Sequence, residues 1–115
     1  MAKIVTDQLI FAIDASNKRS YEDGTGTSWY DLSASNLTGT LTNGPVFNVL
    51  NNGAINFDGT NDYISHGNPG SIQIGSTDLT ALIWVKMLAS ESGYNRLISK
   101  TNNFYVHTYD GEPMF

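Results

Sequence analysis

Few residues of this chain are suited to covalent chemistry. It has no cysteine, two histidines (His66 and His107) and three glutamates (Glu22, Glu91 and Glu112). Glycoside hydrolysis needs two carboxylates about 5 to 10 Å apart across a sugar, which on one strand means acids two residues apart. The three glutamates fall in predicted loops and show no such spacing. A serine triad needs a histidine beside a nucleophile elbow, and no Gly-x-Ser-x-Gly run is present. His66 reads as a loop residue and His107 as one member of a half-exposed strand. An enzyme is not expected.

Two other chemistries have better material. Asp58, Asn61 and Asp62 place three hard oxygen side chains within one five-residue stretch, Asp58-Gly59-Thr60-Asn61-Asp62. Calcium prefers such ligands, although the spacing is not that of an EF-hand and the same residues also cap tight turns. Calcium is therefore the one metal considered, and no cofactor is required. The second chemistry is stacking on sugar rings. Trp29, Tyr30, Trp84, Tyr105 and Tyr109 offer aromatic faces, with Asn and Asp to bond hydroxyls. The structural alternative is that Trp29 and Trp84 fill a core.

Strands joined by turns must position these groups. The Asp58–Asp62 stretch lies between apolar runs at 54–57 and 63–65, and Asp-Gly in that setting predicts a hairpin, with Gly59 at positive φ. Residues 9–14 are apolar on both faces and read as a buried strand. Asn43-Gly44 reads as a turn between residues 40–42 and 46–47, and Pro45 marks a strand start or an edge. The longest apolar run covers residues 79–87. At period two, Leu79, Ala81, Ile83, Val85 and Met87 share one apolar face, while Thr80, Leu82, Trp84 and Lys86 share a mixed one. Ile55, Phe57, Ala81, Ile83 and Val85 are therefore expected to face inward together. Within residues 104–109, Phe104, Val106 and Thr108 alternate with Tyr105, His107 and Tyr109. Asp110-Gly111 is a turn.

Composition agrees with an all-β class. Charged residues make up 15% of the 115 and aromatics 11%, with Gly, Ser, Thr and Asn abundant, which favours strands and turns over long helices. Such a length bounds the chain to one domain, with residues 1–8 as a lead-in. The net charge of −5 and six scattered basic residues argue against nucleic acid as a partner. No segment approaches a membrane span, so no membrane insertion is expected. Residues 1–7 lack the apolar run of a signal peptide, so a protein working outside a cell would leave by another route.

Three blocks carry a resemblance. Trp29-Tyr30-Asp31-Leu32-Ser33 follows a Gly/Thr loop, Phe57-Asp58-Gly59-Thr60-Asn61-Asp62-Tyr63-Ile64 forms the predicted hairpin, and Leu82-Ile83-Trp84-Val85 sits in the long apolar run. In this order they resemble the laminin-G-like, concanavalin A-like jelly rolls found in phage and bacterial surface proteins. The chain departs from that pattern after Ser33, where Ala34-Ser35-Asn36 replaces a Gly- and Asn-rich turn. The resemblance spans residues 9–115 and implies an antiparallel jelly-roll sandwich, with further strands at 96–100 and 104–109. It also implies a domain truncated at its C-terminus, since the full roll is longer. It puts Trp84 on the concave, ligand-facing side, with Lys86 beside it and Tyr105 and Tyr109 as further ligand-binding residues. The function implied is a non-catalytic carbohydrate-recognition or adhesion module of a larger surface or virion-associated protein. Its partners would be a glycan or host surface and other parts of that protein. A purely structural virion or spacer module is the alternative, and a degenerate glycoside hydrolase-like domain the third.

Overall fold

The computed structural model describes residues 7–22, 24–87, 92–110 and 112–114. Glu91, Gly111 and Phe115 lie outside the described residues. The class is all-β: among the described residues there are eight short strands in three antiparallel sheets, with helix confined to two three-residue turns, Leu50–Asn52 and Gly70–Ile72. Among the described residues no helix is long and apolar enough to cross a membrane. The chain divides into two compact units, Met1–Ile72 and Gln73–Phe115.

In the first unit, β1 (Ser28–Tyr30), β2 (Thr38–Thr42) and β5 (Tyr63–Ser65) form a sheet in the order β1-β2-β5. Trp29 pairs with Gly39, and Leu41 with Ile64, so these four share the inner face. Thr38 and Thr40 point outward, which is the half-buried alternation of an antiparallel strand. A second sheet joins β3 (Val46–Asn48) to β4 (Ala54–Asn56) and presents Phe47 and Ile55, themselves cross-strand partners. The core is Tyr21, Trp29 and Leu41, flanked by Ile13, Ala15, Phe47, Ile55 and Ile64. Tyr21 stacks on Phe47 with centroids 5.3 Å apart and meets Trp29 edge-on at 6.2 Å. Its hydroxyl donates to the Gly26 carbonyl at 2.6 Å, which satisfies the one polar atom this ring brings inside.

Gly39 is the tight point of the inner face. His66 continues the row of Ile64, and its imidazole lies where a Gly39 side chain would stand. A Cβ there would overlap both His66 ring nitrogen Nε2 and its neighbouring carbon, so only glycine lets the histidine pack across β2. Phe11 closes over the same ring, edge to face at 4.8 Å.

Three expectations are corrected in this unit. β4 and β5 do not pair: β4 pairs with β3 and β5 with β2, so Asp58–Asp62 connects two sheets instead of turning a hairpin. Phe57 lies beyond the end of β4 and is 49% exposed, because the chain leaves the ladder one residue earlier. Residues 9–14 form no strand. Their backbone is held by individual partners instead, as Leu32 N–H donates to the Ala12 carbonyl at 2.7 Å and Ala12 N–H to the Asp31 carboxylate. Trp29, by contrast, is core.

The second unit is built on β6 (Tyr94–Lys100), β7 (Phe104–Tyr109) and β8 (Glu112–Met114), antiparallel in that order. The strands expected at 96–100 and 104–109 are both present, the first beginning two residues earlier, at Tyr94. Val106 and Thr108 are buried while Tyr105 and Tyr109 are exposed. The Asp110 turn is fastened at its base: Asp110 Oδ1 accepts the Gly93 N–H at 2.8 Å, and Asp110 N–H donates to the Gly93 carbonyl at 3.1 Å. A register shift between Arg96 and Ile98 inserts one extra residue into β6. The run at 79–87 forms no strand here. Ala81, Ile83 and Val85 are exposed, so the inward face expected of them is not formed, and Trp84 is 92% exposed. β-propensity alone pairs with nothing, and this stretch has no ladder partner among the described residues.

Candidate functional site

Asp31 organises the first unit. Its Oδ1 accepts the N–H groups of Ala12 at 2.8 Å and Ser33 at 2.9 Å, while Oδ2 accepts the Ser33 hydroxyl at 2.6 Å and Leu37 N–H at 3.4 Å. Burial pushes this carboxyl up. The Ser33 hydroxyl and the three amides outweigh burial and leave it below the usual carboxylate range. All of these donors are the protein's own, so Asp31 is spent on architecture. The Trp29-Tyr30-Asp31-Leu32-Ser33 block therefore supplies a core ring, an outward ring and a buried clasp. Ser20 acts similarly: fully buried, it accepts Asp14 N–H at 3.0 Å and donates to the Tyr30 carbonyl at 2.6 Å.

The loop at Asp58 is also largely self-satisfied. Asp58 Oδ1 accepts the amides of Thr60 at 2.8 Å and Asn61 at 3.2 Å, and Asp62 Oδ2 accepts Asp58 N–H at 3.0 Å. The Thr60 amide is the main cause holding the Asp58 carboxyl below its ordinary range. Gly59 has φ 73°, as its turn position requires. Asn61 offers its carbonyl to the Asn43 amide at 2.7 Å. Asp62 Oδ1 has no hydrogen-bond partner among the described residues, so a cation would find one unengaged carboxylate oxygen here. Calcium takes six to eight oxygens, and most of this loop's supply already caps backbone.

The third constellation lies on one face of the β6–β7 hairpin. Tyr94 is opposite Tyr109, Arg96 opposite His107 and Ser99 opposite Tyr105. The rings touch in sequence. Tyr94 lies 4.8 Å from Tyr109 and 5.2 Å from His107, and His107 lies 5.1 Å from Tyr105, all tilted. The Arg96 guanidinium carbon sits 5.9 Å from the Tyr105 ring centroid. The tyrosines remain open to solvent, with Tyr94 73%, Tyr105 59% and Tyr109 43% exposed. Both nitrogens of the His107 imidazole lie beneath its neighbours, without a hydrogen-bond partner among the described residues.

Compared with known protein families, curated proteins and solved structures, the chain matches none of them. Geometry alone ranks the candidates. The hairpin face is the strongest, because it concentrates exposed aromatic surface on paired strands.

Of the residues singled out from the sequence, Tyr105 and Tyr109 stand on this face. Trp84 and Lys86 are exposed on the strandless run at 79–87, and Trp84 makes no ring contact with the tyrosines among the described residues. Tyr94 and Arg96 are the members that sequence reasoning passed over, whereas His107 follows from its alternation with Tyr105 and Tyr109. A signal existed for the other two, since they are two apart and share a strand face. Which face they share with Tyr105 depends on the hairpin register, which the β6 irregularity shifts by one residue.

Proposed function

We propose that this chain is a non-catalytic carbohydrate-recognition or adhesion module, belonging to a larger surface or virion-associated protein and built on a laminin-G-like, concanavalin A-like jelly roll. One observation carries the reading: Tyr94, Tyr109 and Tyr105 stand exposed around the half-buried His107 ring on the β6–β7 face. Exposed aromatic rings held in mutual contact on a rigid ladder suit the apolar faces of sugar rings, which bind by stacking at low conformational cost. Loops could not hold three tyrosines in register. Two ladder strands do.

The test is a panel of immobilised oligosaccharides probed with the wild type and with Tyr105→Ala and Tyr109→Ala. Both positions point to solvent, so folding should survive either change, as checked by circular dichroism. Each variant should lose about 2- to 12-fold of saccharide affinity, corresponding to the roughly 0.5 to 1.5 kcal/mol that stacked aromatic contacts contribute. Retained binding in both variants would remove this face from the site.

A structural or assembly role is the second reading. Exposed Leu82, Ile83, Trp84 and Val85 favour it, because contiguous apolar surface usually marks a contact with another protein. On that reading Trp84→Ala weakens assembly into the larger protein and leaves saccharide binding by the hairpin unchanged.

A further inference from the structure

Granted the saccharide reading above, we infer that the sugar recognised by the β6–β7 face carries a carboxylate, held by Arg96. The chain is acidic, with eleven acidic and six basic residues, so a cation standing among exposed rings is unusual in its charge context. Arg96 is exposed and forms no ion pair among the described residues. Its recorded contact is with the Tyr105 ring. The guanidinium stands within cation–π reach of the Tyr105 ring, and its N–H fork matches a planar carboxylate with two parallel hydrogen bonds. Ser99, opposite Tyr105 in register, adds an exposed residue with a hydroxyl to the same face.

The face is also polarised. Tyr109 pairs with Glu112 of β8, which is exposed and places a negative charge at the register position farthest from Ser99 and Tyr105. A carboxylate is repelled from that end and attracted to the Arg96 end, so an acidic sugar has one favoured direction along the row. A neutral sugar has none. The Asp110 carboxylate, also nearby in sequence, is engaged with the Gly93 amide and belongs to the turn. Charge complementarity at Arg96 therefore selects among sugars, while the tyrosines supply the stacking common to all of them.

The experiment compares an oligogalacturonide with a neutral galacto-oligosaccharide of equal length, by isothermal titration with the full chain. The acidic oligosaccharide should bind about 10- to 100-fold more tightly, as expected for a charge-assisted pair, with the advantage shrinking as salt is raised. Arg96→Gln should erase the preference, and Arg96→Lys should restore only part of it, because the ammonium lacks the fork. Equal binding of both oligosaccharides by the wild type overturns the inference and leaves the saccharide reading standing. A preference that survives Arg96→Gln overturns the role of Arg96. Binding of neither oligosaccharide, nor of any other sugar in the panel, overturns both readings. The wild-type comparison needs no substitution, so a variant that fails to fold does not shelter the inference.

Discussion

At the residue scale, packing in the first unit turns on two small facts, the missing side chain of Gly39 and the half-buried imidazole of His66. Gly39→Ala inserts a methyl group where the ring already lies, and the ring is hemmed in by Phe11. We expect a loss of about 1 to 3 kcal/mol by urea denaturation, the usual cost of overpacking. A loss below a few tenths would show that the histidine swings out freely. Acid should act at the same place. Burial holds the His66 pKa below its ordinary value, against a partial opposing pull from the Asp31 carboxylate. A histidine with a lowered folded pKa favours the neutral fold. Its contribution is complete above about pH 6.5 and is lost as pH falls below that value. Asp31 is lowered in the fold too, so its contribution is present above about pH 4 and disappears as pH falls through its folded value. Stability measured from about pH 8 down to about pH 3 should therefore fall in two stages. His66→Gln should flatten the first and leave the second.

At the element scale, the strands were more legible than their partners. The alternation of Phe104, Val106 and Thr108 with Tyr105, His107 and Tyr109 is local, and β7 follows it faithfully. The pairing of β4 with β3, and of β5 with β2, is decided by which inner faces fit around Tyr21 and Trp29. No local pattern records that. Asp58-Gly59 carries a strong hairpin signal and does form a tight turn, yet its flanking strands diverge to different sheets. Residues 9–14 were illegible for another reason: the groups that hold them, Asp31 and Ser20, lie 6 to 19 residues away and act through side chains. The run at 79–87 has the residue types of a strand, but residue type does not supply a neighbouring edge. The candidate face was half legible, since Tyr105 and Tyr109 follow from alternation while Tyr94 and Arg96 join them through the ladder register.

The Asp58 loop gives a prediction at this same scale. Its carboxylates already cap the amides of Asp58, Thr60 and Asn61, so millimolar calcium should leave the melting temperature unchanged. A rise in the wild type that vanishes in Asp62→Ala would make the loop a metal site after all.

At the scale of the whole molecule, the chain has two compact units whose sheets share no strand, and the run at 79–87 stands in extended exposure near the start of the second. That run is uncapped by any ladder hydrogen bond among the described residues, and Leu82 and Trp84 are its most exposed large side chains. An exposed segment without backbone partners is the form of chain a protease active site accepts, whereas a paired strand must first unfold. Limited digestion with chymotrypsin, which cuts after large apolar and aromatic residues, should therefore nick the chain first after Leu82 or Trp84. The tyrosines of the row on β6 and β7, though also exposed, should be spared, because their backbone is tied into a ladder. The early products would be a fragment retaining the Asp31 clasp and a smaller one carrying the whole tyrosine face. First cleavage at Tyr105 or Tyr109 would mean that the hairpin opens more readily than the run before it. The same nick would leave the hairpin intact on a short peptide, offering a direct way to ask how much recognition survives without the first unit.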